Sequence, residues 1–359
     1  MSDTRFFLFL LVAISISLVY LTFFDNSILA SSSVLVDKLE LNNGWGVTAV
    51  DPQTSKVYIT NFKSTTVTVL DGNSNERISL IEVGSSPYGI GINTNTKLLY
   101  VARELANILS IVDTNSNEVI KEIDLEDPYD IAVNSKANKT YVTSDSTSTV
   151  FVVDGATNEI ISSFKVDNPC GVAVNEKTNM VYVTSASTNT VHVIDGSDNL
   201  VTIIDVGKSP RGVVVNPNTN MVYVTNQLSG TVDVIDGQTN QIVDTISVEY
   251  TPRRVVVNPD SNILYVSNQI SNSLSVIDGY TNKVIDSIPV EQPFELTLNP
   301  KTGKLYASYS GISMLSIVND MMRNQDADES KIMTGVLATG VIAAAIAFFI
   351  IQKKLKHKQ

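Results

Sequence analysis

The feature that most constrains the fold of this chain is a segment of about 41 residues that occurs seven times. Tyrosines recur at intervals of 41 or 42 residues, at Tyr58, Tyr100, Tyr141, Tyr182, Tyr223, Tyr265 and Tyr306. Aspartates keep the same register, at Asp71, Asp113, Asp154, Asp195, Asp236 and Asp278. So do prolines, at Pro87, Pro128, Pro169, Pro210, Pro252 and Pro293. A fixed period of this length is typical of stacked or ring-shaped repeat architectures.

Each period contains four short apolar segments, which in the fifth copy are 212–216, 221–226, 231–236 and 241–248. They are rich in Val, Ile, Thr and Tyr and are bounded by Asn, Gly, Pro or Asp, as β-strands are. The first segment is apolar throughout, whereas the last alternates, so we expect a buried inner strand and a half-exposed outer strand. The sequence therefore predicts an all-β fold, a seven-bladed β-propeller of four-stranded blades over residues 34–319.

The last repeat lacks a fourth strand, because the chain becomes polar after Asn319. Residues 34–41 have the apolar pattern of an outer strand, so we expect them to complete the seventh blade and leave no open sheet edge. The linker at 25–33 and the polar stalk at 320–331 then join the propeller at one blade and one face. We expect that face to look toward a membrane and the opposite face to look outward.

Two uncharged apolar segments flank the propeller, at 6–24 and 332–351, and each is long enough to cross a bilayer as a helix. The second precedes a basic tail at 352–359, which the positive-inside rule places in the cytoplasm. Residues 1–24 fit either a retained transmembrane anchor or a signal peptide cleaved after Ala30. Both alternatives predict a cell-membrane protein with an extracytoplasmic propeller.

The composition excludes several classes of function. The net charge of −12 argues against a nucleic-acid partner, because phosphate binding needs basic patches. Cys170 is the only cysteine, so no intrachain disulfide is possible. His192 and His357 are the only histidines, which disfavours a metal site, a cofactor site or a catalytic triad. We therefore expect no metal, no cofactor and no catalytic residues.

The recurring Asp-Gly pairs, such as Asp236-Gly237, also have a structural interpretation. Their spacing does not match a calcium-binding loop, and Asp before Gly between two strands indicates a turn. We expect the glycine to supply a positive φ at each of these corners.

The motif "YVTN" at 223–226, followed by "VIDG" and preceded by "VNP", resembles the YVTN repeat. That family of seven-bladed propellers, also called YncE-like, is similar to repeats in archaeal surface-layer proteins. Weaker copies include "YVTS" at Tyr141 and Tyr182, "YVSN" at Tyr265 and "YITN" at Tyr58. The resemblance covers about 34–319 and implies a cell-envelope location with a binding or structural role. It supplies no catalytic residue.

Loops that vary between repeats are the candidates for binding, because rigid scaffolds carry function on their loops. The positions expected around the mouth of the outward face hold Trp45, Tyr88, Arg103, Tyr129, Asp130, Arg211, Arg253, Arg254, Phe294 and Glu295. The loop 226–230 is a further candidate. Arg211, Arg253 and Arg254 come from adjacent blades, and the sequence leaves two alternatives for them. They form either a cationic patch that binds an anionic glycan or carboxylate, or internal ion pairs with Asp130, Glu295 and Glu249. Asn138 begins the one glycosylation sequon and is expected on a membrane-facing turn.

These observations favour a membrane-anchored, extracytoplasmic, non-catalytic binding or scaffolding module. Its expected partner is a protein or glycan of the cell envelope. Two alternatives remain open from the sequence. One is an envelope enzyme, a lyase- or oxidoreductase-like propeller that uses the outward funnel. The other is a self-associating surface-layer subunit.

Overall fold

The computed structural model describes residues 35–41, 46–309, 311 and 313–320. These residues form 28 strands in seven four-stranded antiparallel sheets, which we number as blades in chain order. Among the described residues no helix is long and apolar enough to span a membrane. The predicted membrane segments 6–24 and 332–351, the linker 25–33 and the tail 352–359 lie outside the described residues.

The first four blades run from the inner strand to the outer strand in sequence order. Blade 1 consists of β2 (Thr48–Asp51), β3 (Lys56–Thr60), β4 (Thr66–Asp71) and β5 (Arg77–Glu82). Blade 2 consists of β6 (Pro87–Asn93), β7 (Leu98–Arg103), β8 (Ile108–Asp113) and β9 (Glu118–Asp124), with a short 3-10 helix at Glu104–Ala106. Blade 3 consists of β10 (Pro128–Asn134), β11 (Lys139–Ser144), β12 (Thr149–Asp154) and β13 (Glu159–Lys165). Blade 4 consists of β14 (Pro169–Asn175), β15 (Met180–Ser185), β16 (Thr190–Ile194) and β17 (Leu200–Asp205).

The remaining blades complete the ring. Blade 5 consists of β18 (Pro210–Asn216), β19 (Met221–Asn226), β20 (Thr231–Asp236) and β21 (Gln241–Ser247). Blade 6 consists of β22 (Pro252–Val257), β23 (Ile263–Asn268), β24 (Ser273–Asp278) and β25 (Lys283–Pro289). Blade 7 consists of β26 (Pro293–Asn299), β27 (Lys304–Tyr309), β28 (Met314–Asn319) and the N-terminal β1 (Leu35–Glu40).

The predicted closure by the N-terminal strand is confirmed. β1 pairs antiparallel with β28, and Leu35 lies opposite Val318. The two ends of the described chain therefore meet at the same edge of blade 7. Blade 7 also contacts blade 1, because Thr297 Oγ1 donates a hydrogen bond of 2.8 Å to the carbonyl of Thr48.

The repeat tyrosine forms the core between neighbouring blades. Tyr223 of blade 5 is fully buried and packs against Val255, Val257 and Leu264 of blade 6. Tyr182 packs against blade 5 in the same way. Burial raises the pKa of Tyr182 and Tyr223 to about 12. The hydrophobic core of this fold thus lies mainly between blades, which is why the tyrosine recurs in every repeat.

The threonine and asparagine of the "YVTN" motif make hydrogen bonds. Thr225 Oγ1 donates to the carbonyl of Arg253 in the next blade and accepts from the backbone N–H of Gly212, both at 2.8 Å. Asn226 is buried, and its Nδ2 donates to Thr231 Oγ1 at 3.1 Å within its own blade. The motif therefore joins blades together and carries no free polar group toward a ligand at Thr225.

A second set of hydrogen bonds links neighbouring blades on the face that bears the Asp-Gly corners. Asn93 Nδ2 of blade 2 donates to Asn138 Oδ1 of blade 3 at 2.8 Å. The pairs Asn134–Asn179, Asn175–Asn220 and Asn216–Asn262 repeat this bond. Between blades 6 and 7 an aspartate takes the place of the second asparagine. Asn258 Nδ2 donates to Asp320, which is fully buried and also accepts a hydrogen bond of 2.7 Å from Tyr265 Oη. Asp320, which we expected to begin the stalk, is therefore part of the packed propeller.

The prediction that the Asp-Gly glycines supply positive φ is wrong. Asp236 accepts the backbone N–H of Gln238 as expected of a turn, but the left-handed residue is Asn240, with φ of 56°. Gly237 is needed for close packing instead. A Cβ there would lie 2.7 Å from the carbonyl oxygen of Asn220 and 2.9 Å from the hydroxyl of Tyr182.

Candidate functional site

The inner strands bring side chains from distant blades together at the axis of the ring. Tyr88 of blade 2 and Tyr129 of blade 3 stack with ring centroids 4.7 Å apart. Arg253 of blade 6 donates from Nη2 to Tyr129 Oη at 3.1 Å, and its guanidinium carbon lies 3.6 Å from the centre of the Phe294 ring. Blades 3 and 6 are not neighbours in the ring, so these contacts close the channel at the face where the inner strands begin, which we call the outward face after the predicted topology.

Beside this stack lies a buried ion-pair network. Arg254 of blade 6 donates to both carboxylate oxygens of Asp130 in blade 3, from Nη1 at 3.0 Å and from Nη2 at 3.2 Å. Its Nε donates to Glu295 of blade 7. Burial lowers the pKa of Arg254, but the charges of Asp130 and Glu295 outweigh burial and hold that pKa well above its ordinary value. Asp130 also accepts the backbone N–H of Val172 at 3.1 Å.

The cationic patch predicted from the three arginines does not form. Arg211, Arg253 and Arg254 do converge on one small space beside Tyr129. However, Arg254 pairs with Asp130 and Glu295, and Arg253 Nε lies 3.9 Å from the same glutamate. Internal pairing therefore explains these two arginines. Glu249, the third predicted partner, instead accepts a hydrogen bond from Ser287 at 2.7 Å.

Arg211 also lines an adjoining cleft of about 120 Å³ on the outward face. Its Nε donates to Gln227 Oε1 at 3.0 Å and its Nη1 to Cys170 Sγ at 3.2 Å. The cleft is lined by Glu104, Asp127, Tyr129, Asp145, Pro169, Cys170 and Arg211. Three carboxylates thus face one guanidinium, and burial together with the charge of Asp127 raises the pKa of Glu104. At neutral pH the cleft has a net negative charge and favours a cationic group.

Other predicted site residues lie away from this centre. Arg103 is buried between strands, where it pairs with Glu122 on the outer strand of its own blade. Asn138 is half-buried on the opposite face in the inter-blade hydrogen bond with Asn93. Its glycosylation stays a prediction. Trp45 lies outside the described residues.

Two further side chains that could carry chemistry, His192 and Cys170, are packed within the blades. His192 is half-buried on β16, and burial lowers its pKa. Cys170 is buried, and burial raises the pKa of its thiol. A reactive cysteine needs a lowered pKa and access to solvent, so the surroundings of Cys170 favour a packing role.

The candidate site residues predicted from the sequence did not include several loop residues that the structure brings to the outward face. Glu104, Asp127 and Asp145 come from three loops of blades 2 and 3 and meet only in the folded ring. Leu228, in the candidate loop 226–230, is 75% exposed, and Tyr250, which was not a candidate, is 78% exposed on the same face. These residues could have been recognised as positions that vary between the repeats, since other blades carry different residues there.

No protein family matches this sequence, and no curated protein matches it. The fold, however, is similar to that of solved structures. A chain in a crystal structure of a mitotic checkpoint complex has a TM-score of 0.71 and 13% sequence identity, over 80% of this chain and 92% of that one. The fold is a seven-bladed β-propeller. A chain of Kuenenia stuttgartiensis hydrazine synthase gives a TM-score of 0.68 and 17% identity, over 79% of this propeller chain and 97% of that one.

At these identities the similarity shows the fold of the propeller alone, because one fold carries many unrelated activities. The resemblance to the YVTN family stays a prediction, since no family matches.

Proposed function

We propose that this chain is a membrane-anchored, extracytoplasmic propeller whose outward face binds a protein partner without catalysing a reaction. The observation that carries the proposal is the closed mouth of the channel. Arg253 and Arg254 balance the charges of Asp130 and Glu295 there, so we expect these groups to hold the ring together and not to carry out chemistry. A rigid scaffold with variable loops is the usual form of a binding module.

The ends of the propeller support the membrane part of the proposal. Leu35 and Val318 are paired neighbours on blade 7, so both flanking segments start from one edge of the disc. Each of those segments contains an uncharged apolar stretch, at 6–24 and 332–351. Two anchors at one edge would turn the face that bears the Asp-Gly corners toward the bilayer and the channel mouth away from it.

The charge of the outward cleft favours a basic partner over an anionic ligand, which was one of the two alternatives from the sequence. Glu104, Asp127 and Asp145 would repel an anionic glycan, whereas lysine or arginine side chains of a protein would replace lost water contacts with charge-assisted hydrogen bonds. One of the similar structures is described as a protein complex, which accords with a protein partner. The enzyme alternative predicts a stoichiometric metal or cofactor in the purified full chain, detectable by elemental analysis and absorption spectroscopy.

A labelling experiment tests the proposed topology. In a Cys170→Ser background, Tyr250→Cys is expected to react with a membrane-impermeant maleimide on intact cells, because Tyr250 is 78% exposed on the outward face. Lys358→Cys, in the basic tail, is expected to react only after the cells are permeabilised. Labelling of the tail on intact cells, or labelling at position 250 only after permeabilisation, would contradict the topology.

A further inference from the structure

Large apolar side chains are concentrated on one sector of the outward face. Leu228 and Ile270 occupy the loops between the second and third strands of blades 5 and 6, and they are 75% and 70% exposed. Tyr250 is 78% exposed on the connection between these two blades. Blades 3 and 4 carry Ser146 and Ser187 at the positions that correspond to Leu228. The repeat therefore does not require an apolar residue there.

Hydrogen bonds tie together the three loops that carry these exposed side chains, and we call Leu228, Tyr250 and Ile270 the apolar patch. The backbone N–H of Val248 donates to Gly230 at 2.9 Å, which ties the connection to the blade 5 loop. The N–H of Tyr250 donates to Ser271 Oγ at 2.9 Å, and Gln269 donates to Thr251 at 3.1 Å. A preformed patch of this kind loses little conformational entropy when a partner binds.

The acidic cleft lies on the same face across the closed mouth of the channel. Its carboxylates belong to loops of blades 2 and 3, and Leu105, which follows Glu104, is a further exposed apolar residue beside it. Tyr129, which lines the cleft, contacts Arg253 of blade 6 over the axis. A partner that crosses the mouth thus meets apolar side chains at one end and carboxylates at the other.

We propose that the outward face docks a polypeptide segment that places apolar side chains on the apolar patch and a lysine or arginine in the acidic cleft. This inference rests on the proposed binding function and specifies the chemistry of the partner. The carboxylates complement a basic segment and disfavour an anionic lipid surface or an acidic glycan. A second copy of this chain is also disfavoured, because its net charge of −12 would be repelled by the cleft. A segment of twelve residues reaches about 40 Å when extended.

The test uses a phage-displayed random dodecapeptide library, selected on the purified full chain in detergent micelles. Enriched peptides are expected to combine basic with aromatic or aliphatic residues. Tyr250→Ser is expected to weaken their binding about tenfold, as loss of an aromatic anchor does. Tyr280→Ser is the matched control, since Tyr280 is 70% exposed on the face with the Asp-Gly corners, and it is expected to change nothing. Glu104→Gln is expected to weaken binding about threefold and to reduce the salt dependence of binding. Glu159→Gln, on an outer strand, is the control and is expected to change neither.

The outcomes separate this inference from the proposed function. Peptides that lose affinity with Arg211→Met but not with Tyr250→Ser would overturn the inference and leave outward-face binding intact. Peptides that respond to Tyr280→Ser alone would overturn both. A selection that yields acidic or uncharged peptides, or no enriched peptide, would overturn the inference, while the labelling of positions 250 and 358 still decides the topology.

Discussion

Replacing Arg254 with methionine is expected to lower the free energy of unfolding by about 3 to 5 kcal/mol, because it leaves Asp130 and Glu295 buried without a partner charge. Asp130 and Glu295 are 8% and 2% exposed, so water cannot take over the role of the guanidinium. The same change removes contacts between blades 3, 6 and 7, and we expect the loss to affect the whole ring. Chemical denaturation followed by circular dichroism measures the effect.

Arg211→Met is the matched control for this prediction. Arg211 lies in the same region, but its guanidinium donates hydrogen bonds to Gln227 and Cys170, not to a buried carboxylate. We expect a loss of about 1 kcal/mol or less. Adding Asp130→Asn and Glu295→Gln to Arg254→Met is expected to recover much of the lost stability, since the unpaired charges are then gone. A loss for Arg254→Met no larger than that for Arg211→Met would show that the network does not stabilise the ring.

Replacing Leu41 with aspartate is expected to destabilise the closure of the ring by about 4 kcal/mol, since a charge would be buried in an apolar cluster. Leu41 follows β1, is 8% exposed and packs with Leu315 of blade 7 and Val57 of blade 1. Once β1 detaches, β28 becomes an exposed edge strand that can pair with other molecules.

Lys38→Asp is the control, because Lys38 lies on β1 but is exposed. We expect it to change the unfolding free energy by about 1 kcal/mol or less. The two variants are compared by urea denaturation and by light scattering during storage. Equal stability of the two, without aggregation of Leu41→Asp, would contradict the closure of the ring through the N-terminal strand.

The architecture could be predicted from the sequence because its main contacts repeat. Tyr223 packs on the next blade, Thr225 donates a hydrogen bond to that blade, and Asn226 fixes its own loop. The tyrosine contact occurs in every blade and the threonine or serine bond to the next blade in most of them, so these residues recur with the period of the blade. The closing strand could be placed for the same reason, since residues 34–41 carry the apolar pattern of the outer strand that the last repeat lacks.

The candidate site could be predicted only in part, because its contacts cross the ring. The sequence offers the pairing of Arg254 with Asp130, from three blades earlier, as one of two alternatives, but only the folded ring decides between that pairing and a cationic patch. The net charge of the cleft also depends on residues from three loops that meet only in the folded ring. The role of Gly237 was misjudged for a related reason, since the space that excludes a Cβ belongs to Asn220 and to Tyr182 of the preceding blade.

The central claim is that the outward face of a membrane-anchored propeller binds a protein. It is tested most directly by placing a photo-cross-linking amino acid at position 250 or at position 280 of the full chain in the cells that make it. Both tyrosines are exposed, by 78% and 70%, but they lie on opposite faces of the disc. We expect a discrete cross-linked protein adduct from position 250 and none from position 280. An adduct from position 280 alone, or equal adducts from both positions, would contradict it.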